Sequence, residues 1–260
     1  MFRRIVAGAL LVALSALPAT GSAQSADVEA TIARVKPSVV AVGTFERTRS
    51  PPFQFRGTGF AVGDGTLIVT NAHVLPETLD ASRNERAVIL IPTARVEPSQ
   101  VEVREVRTVA KDAAHDLALL KIEGRPLPAL VLGDSSAVRE GRSVHFTGFP
   151  IGAVLGAYPA THRAIVAAIT PIAIPQRRAA ELDAPTLRRL ESGPFPVFQL
   201  DGIAHPGNSG SPLFDASGAV IGVVNMVLVR ASKESLLTQP SGISYAIPAE
   251  HVGTLLRSIR

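Results

Sequence analysis

Short runs of β-forming residues, separated by turn residues, follow one another through most of this 260-residue chain. Gly63-Asp64-Gly65 and residues 215–218 are typical of hairpin turns. No regular helical pattern separates consecutive runs, which disfavours a parallel α/β sheet. We therefore predict an all-β protein in two halves. The eleven predicted strands are residues 38–45, 57–62, 66–70, 87–91, 101–109, 117–122, 144–148, 164–169, 197–200, 220–229 and 244–247.

Two segments with helical periodicity flank this β-rich region. Residues 27–36 place Val28, Ile32 and Val35 on one face, and Pro37 stops the pattern. Residues 249–259 form the second helical pattern. We expect short N- and C-terminal helices flanking the two halves.

The first 23 residues have the features of a secretory signal peptide. Residues 1–4 are basic, residues 5–17 are apolar, and small residues lead up to Ala23, where we expect cleavage. An uncleaved membrane anchor is the alternative, but the apolar run is short for a bilayer of about 30 Å. We therefore predict export to the periplasm or the medium, with residues 24–260 as the mature chain and no stable membrane insertion after cleavage.

Composition excludes several classes of function. The chain has no cysteine, which excludes a disulfide scaffold, a thiolate zinc site and a catalytic thiol. It has no tryptophan, and its 5% aromatic content argues against stacking platforms for single-stranded nucleic acid. The formal charge of +4 includes Arg3 and Arg4 of the signal segment, so it is a weak indication of an anionic partner. We expect no nucleic-acid partner.

The strongest motif is the segment Gly207-Asn208-Ser209-Gly210-Ser211. A nucleophilic serine needs a tight turn and backbone N–H groups directed at the oxyanion of a tetrahedral intermediate. Glycines on both sides permit unusual dihedral angles and close approach of a substrate. Taken alone, the segment could also be an ordinary Gly-Ser turn.

Two further motifs supply the partners that such a serine needs. His73 follows a short apolar strand and is suited to general-base chemistry at neutral pH. Asp116 directly precedes the apolar run 117–122, and a carboxylate there needs a partner such as an imidazole N–H. Each has a structural alternative: His73 as a core histidine, and Asp116 as a strand cap.

Together these motifs resemble the chymotrypsin-fold serine peptidases, and they are most similar to the bacterial HtrA/Deg protease domain. The resemblance covers roughly residues 27–256 and includes the segments 57–60, 148–150 and 242–248. It implies two six-stranded antiparallel barrels, at about residues 37–132 and 140–248. It also implies a double-barrel serine endopeptidase that cuts polypeptides without a metal or organic cofactor.

The resemblance assigns a role to each matched residue. Ser209 corresponds to the nucleophile, His73 to the base and Asp116 to the residue that orients the base. The amides of Gly207 and Ser209 correspond to the oxyanion hole. The substrate pocket is expected at Ile203, Val224, Asn225 and Met226, and an apolar floor at Ile203 favours uncharged, apolar substrate side chains.

Several features depart from the family pattern. Asn208 stands where digestive enzymes carry an aspartate, so activation by insertion of a new N-terminus is not expected. Ser211 replaces a commoner glycine, and no PDZ domain is expected before the end of the chain at Arg260. The proline-rich segment 171–196 is either a plain surface loop or a flap beside the site. The alternatives to an active peptidase are an inactive peptide-binding protein and an esterase on the same fold.

Overall fold

The computed structural model describes residues 21–92, 101–150, 152, 158–171, 194–225 and 242–259. Residues 1–20 of the predicted signal, most of the 171–196 segment and Met226 lie outside these ranges. The chain begins with helix α1 (Gly21–Val35), which starts before the predicted cleavage point after Ala23. Helix α2 (Ala249–Arg257) follows the last strand.

Within the described ranges, twelve strands make up the rest of the regular structure, and the turns between them include short 3₁₀ segments. The strands are β1 Val39–Phe45, β2 Phe53–Val62, β3 Leu67–Asn71, β4 Arg86–Pro92, β5 Val101–Asp112, β6 Leu117–Ile122, β7 Ser143–Gly148, β8 Ala160–Pro171, β9 Pro196–Asp201, β10 Pro212–Phe214, β11 Val220–Asn225 and β12 Ile243–Pro248.

The strands close into two antiparallel barrels of six strands each. The first has the order β1-β2-β3-β6-β5-β4, and the second has the order β10-β11-β12-β9-β8-β7. The prediction of an all-β, double-barrel architecture is confirmed. Strand β10 was not predicted, because three residues that begin with a proline carry almost no strand signal of their own.

Each barrel has its own apolar interior, and a third cluster joins the two. This third cluster includes Phe60 of the first barrel, Phe149 and Phe214 of the second, Val35 of α1 and Val252 of α2. Both helices therefore pack at the junction between the barrels. No helix in the described part of the chain has the length and apolar character needed to cross a membrane.

Strand β2 shows how the junction is built. Its first four residues alternate between half-buried and exposed, whereas the last six, Gly57 to Val62, are all buried. One face of this second half lines the first barrel and the other face meets the second barrel, which is why the period-two pattern disappears. The same stretch of β2 borders the candidate site.

Candidate active site

The pairing of β3 with β6 brings His73 and Asp116 together. Asn71, the last residue of β3, lies opposite Leu117, the first residue of β6. His73 follows in a 3₁₀ turn, Ala72–Val74, and its Nδ1 lies 2.6 Å from Asp116 Oδ2. The backbone N–H of His73 donates to Asp116 Oδ1 at 2.9 Å. This double contact fixes both the position of the imidazole and the ring nitrogen that faces the carboxylate.

Asp116 has an unusual backbone conformation. Its φ of +52° is in the left-handed region, and the residue is 4% exposed. The carbonyl of Asp116 accepts hydrogen bonds from the Ala72 N–H at 3.0 Å and from Asn71 Nδ2 at 3.1 Å. Backbone strain of this kind persists only where surrounding contacts hold it, and it concentrates at functional sites.

Asn225, at the end of β11, reaches the same carboxylate from the second barrel. Its Nδ2 donates to Asp116 Oδ2 at 2.7 Å, and the residue is fully buried. Asn225 was predicted to lie in the wall of the substrate pocket, and its contact with Asp116 was not anticipated. A polar residue at the end of a wholly buried strand was the available signal, because such a side chain needs a hydrogen-bond partner.

Ser209 lies on the turn between β9 and β10, and hydrogen bonds hold its backbone from both barrels. The Thr58 N–H donates to the Ser209 carbonyl at 2.8 Å, and the Gly210 N–H donates to the Val224 carbonyl at 2.9 Å. A Cβ atom on Gly57 would lie 2.9 Å from the Ser209 carbonyl and 2.6 Å from Val74 Cγ2. Gly57 therefore lies between the Ser209 backbone and Val74, the residue that follows His73.

Gly207 has a conformation and a setting that suit glycine alone. Its φ is +103°, and a Cβ there would overlap the Phe149 carbonyl and lie 2.7 Å from Phe55 Cε1. The Gly207 carbonyl accepts a hydrogen bond from Thr58 Oγ1 at 2.7 Å. Thr58 Oγ1 in turn accepts from the Phe149 N–H at 3.1 Å. Thr58 was part of a matched segment in the sequence, but its bridging role was not anticipated.

The remaining pocket residues have different surroundings. Ile203, between β9 and the Ser209 turn, is 44% exposed. Val224 is fully buried in the apolar interior of the second barrel. The side chains of Val224 and Asn225 therefore point to the barrel interior and to Asp116, respectively.

Two histidines lie near the segment that carries Ile203. His162 of β8 stacks on Phe146, and its ring centroid is 6.3 Å from that of His205. Burial lowers the pKa of His162, and the neighbouring His205 lowers it further. Within the described ranges, no group of three or more His, Asp or Glu side chains is arranged to hold a metal ion.

Two closed barrels, with a His–Asp pair on one and a glycine-flanked serine on the other, define the class of chymotrypsin-like proteins. Comparison with known families agrees: residues 57–223 match the family of trypsin-like peptidase domains. The chain belongs to this family.

The relatives are HtrA-type proteases. The chain is 34% identical over 235 residues to mouse "Serine protease HTRA4", covering 88% of this chain and 40% of that protein. It is 29% identical over 198 residues to a "Probable periplasmic serine endoprotease DegP-like" of Ectopseudomonas mendocina, covering 76% of this chain and 33% of the relative. The chain thus spans less than half the length of these relatives.

Solved structures of the same type share the fold. The crystal structure of Deg5 matches with a TM-score of 0.61 at 26% identity, covering 89% of this chain and 92% of that one. An HtrA-type protease described as AlgW with a tripeptide matches with a TM-score of 0.60 at 24% identity, covering 89% of this chain and 63% of that one.

Proposed function

We propose that this protein is an exported serine endopeptidase in which Ser209, His73 and Asp116 form the catalytic triad. The observation that carries the proposal is the contact of His73 Nδ1 with the buried Asp116 carboxylate at 2.6 Å. An imidazole held through Nδ1 keeps Nε2 available as the base. Membership of the trypsin-like peptidase family supports the same assignment.

The proposed roles define the reaction. Ser209 Oγ attacks the peptide carbonyl carbon while His73 Nε2 takes the hydroxyl proton. The negative oxygen of the tetrahedral intermediate is stabilised by the N–H groups of Gly207 and Ser209. The C–N bond then breaks, and His73 gives its proton to the leaving amine. Water, deprotonated by His73, releases the acyl group and regenerates the serine hydroxyl.

A fluorophosphonate probe tests the assignment, because it reacts with a serine only when a working base activates the hydroxyl. We expect the wild-type protein to be labelled at Ser209 and the Ser209→Ala variant to be unlabelled. Ser217→Ala is the matched control: Ser217 is an exposed serine of a hairpin turn in the same barrel, and its loss should leave labelling unchanged. A folded wild-type protein that is never labelled contradicts the proposal and favours the inactive peptide-binding alternative.

We further propose that cleavage follows small or medium apolar residues, with Ile203 at the floor of the pocket. Its 44% exposure is compatible with contact with substrate. Burying a lysine or arginine head against Ile203 without a counter-charge would cost several kcal/mol. Burying a valine or leucine side chain would contribute about 1.5–3 kcal/mol.

Cleavage sites on a denatured substrate, mapped by mass spectrometry, test this preference. We expect most cuts after Val, Ala, Leu or Ile, and the Ile203→Asp variant should shift them toward Lys and Arg. A majority of wild-type cuts after basic residues would place Ile203 outside the pocket.

Export is proposed on the basic and apolar N-terminal segment, and the relative named as periplasmic supports it. Expression of the full chain in a bacterium, followed by N-terminal sequencing of the exported form, tests it. We expect the mature chain to begin at Gln24, and retention in the cytoplasm would contradict export.

A further inference from the structure

A cluster of aromatic rings lies directly beside the candidate triad but outside it. The ring of His115, the residue before Asp116, stacks on His251 of α2 with centroids 3.8 Å apart and an interplanar angle of 19°. Phe195 packs edge-on against both rings, with centroid distances of 4.5 Å to His115 and 5.3 Å to His251. The cluster therefore joins the first barrel, the approach to β9 and the C-terminal helix.

A carboxylate fixes His115 within this cluster. Asp112 Oδ2 lies 2.7 Å from His115 Nδ1, and Asp112 Oδ1 accepts from the His115 N–H at 3.1 Å. A carboxylate oxygen on the ring Nδ1 and the other on the backbone N–H are also the two contacts between Asp116 and His73. His115 is thus held on one side by Asp112 and on the other by the stacked ring of His251.

The location of this cluster matters because the backbone of Asp116 is strained. Its left-handed φ of +52° is supported from one side by Ala72 and Asn71, which donate to its carbonyl. On the other side, Asp116 follows directly after His115 in the chain. Release of His115 would loosen the chain directly before Asp116, while the contacts from Ala72, Asn71, His73 and Asn225 act on Asp116 itself.

We propose that the stacked imidazoles of His115 and His251 position Asp116, and that protonation of the pair at acid pH releases it. The inference rests on the triad proposed above. Two cationic rings 3.8 Å apart repel strongly in a partly buried site, so the stack tolerates one proton but not two. His115 and His251 are positioning residues, because they act through Asp116.

The charges around the pair are consistent with this behaviour. Burial lowers the pKa of His251, and His115 lowers it further. The charged groups that oppose these effects are Glu250, whose Oε1 lies 3.8 Å from His251 Nε2, and Asp112 on β5. Asp112 contacts the His115 ring at 2.7 Å, whereas Glu250 is more than half exposed and compensates a positive charge on His251 only weakly.

The pH dependence of fluorophosphonate labelling at Ser209 is the first test. His73 must be neutral to act as the base, which alone gives a slope of one in log rate against pH on the acid side. The releasing protonation adds to this, so the wild-type slope should exceed one. His251→Phe keeps a stacked ring that cannot be protonated, so its slope should return to one. At pH values below the releasing protonation, the ratio of the His251→Phe labelling rate to the wild-type labelling rate should then grow by about tenfold for each pH unit.

His145→Phe is the matched control. His145 is also buried with a lowered pKa and stacks on an aromatic ring, that of Phe214, but it lies on β7 in the second barrel. We expect this variant to keep the wild-type slope. His115→Phe is a second test variant with the same expected result as His251→Phe. A wild-type slope of one, or folded His251→Phe and His115→Phe variants that both keep a steeper slope, would overturn the inference.

Histidine ring NMR on the Ser209→Ala protein gives a readout that needs no activity. We expect the signals of His115 and His251 to titrate as a coupled pair, and the His73 signals to respond to their transition. Independent titration of the two rings, or a His73 ring that does not respond, would overturn the inference. Failure of wild-type labelling at every pH would instead overturn the proposed triad, and the NMR result then decides the role of the pair by itself.

Discussion

At the scale of single residues, the Asp116 carboxylate links the two barrels through hydrogen bonds. Its carboxylate accepts hydrogen bonds from His73 of the first barrel and Asn225 of the second. A buried carboxylate needs such donors, because leaving one of its oxygens without a partner costs free energy. Asn225 therefore satisfies the carboxylate and also fixes the direction in which it faces His73.

The Asn225→Ala variant should lose this orientation. A hydrogen bond to a charged group contributes about 1.5–3 kcal/mol, and about 1.4 kcal/mol corresponds to a tenfold change in rate. We expect kcat to fall by at least tenfold with little change in KM, because the amide contacts Asp116 and not the substrate. Asn225→Asp should lose more activity, since it places a second carboxylate beside the first. A normal kcat in Asn225→Ala, measured on a peptide substrate, would show that His73 alone orients Asp116.

The Gly207→Ala variant tests the oxyanion hole. A methyl group there would overlap the Phe149 carbonyl, so the turn would have to move and carry its N–H away from the reacting oxygen. Loss of one such donor typically lowers kcat by about 10²–10³.

Gly124→Ala is the matched control: its φ of +82° imposes similar strain, but nothing lies within 4 Å of the added carbon. It should cost about 1–2 kcal/mol of stability and leave kcat unchanged. Equal activity of the two variants would contradict the role given to Gly207.

At the scale of elements, strand β2 holds the backbone around Ser209 in place through hydrogen bonds. Its Thr58 N–H binds the Ser209 carbonyl, and its hydroxyl bridges the Gly207 carbonyl and the Phe149 N–H. Because β2 belongs to the first barrel and its partners here belong to the second, this strand sets the position of the serine relative to the histidine.

The Thr58→Val variant keeps the shape of the side chain and removes the bridge. Two buried partners would be left unsatisfied, at a cost of about 1–3 kcal/mol each. We expect a lower free energy of unfolding, measured by urea denaturation, and a kcat reduced by about tenfold. Thr58→Ser retains the hydroxyl and should recover most of the kcat. If the valine variant matched wild type in both measurements, the bridge would have no role in placing Ser209.

The elements also show what the sequence could and could not provide. Alternation and turn residues predicted eleven strands, and the order and spacing of His73, Asp116 and Ser209 pointed to one site. The strand that was missed, β10, is too short for any periodic signal. The contacts of Thr58 and Asn225 were out of reach because they join residues 149 and 109 positions apart in the chain, and no local pattern encodes such pairs.

At the scale of the whole molecule, the buried His145 and the half-buried His162 and His251 are expected to govern how stability responds to pH near neutrality. Burial lowers the pKa values of His145, His162 and His251. In the unfolded chain these rings regain the ordinary histidine pKa of about 6.5, so below that pH the unfolded state binds more protons than the native state. Stability should therefore be complete above about pH 6.5 and should fall as the pH drops toward the lowered native values.

The melting temperature, measured from about pH 8 to pH 5, tests this expectation. We expect Tm to be level above about pH 7 and to fall progressively below it. His145→Phe should make the fall less steep, because its ring cannot be protonated in either state. A Tm that rises on acidification, or a slope unaffected by this substitution, would contradict the assignment of these histidines.

The division of the site between two barrels has a consequence for the time at which activity appears. Ser209 and Asn225 belong to the second barrel and His73 and Asp116 to the first, so neither barrel alone holds all residues of the proposed triad. Contacts between residues this far apart in the chain form late in folding, after loop closure has been achieved. If these residues act as the proposed triad, a newly made chain is inert toward its neighbours until the barrels have docked, and the onset of cleavage would report that assembly is finished.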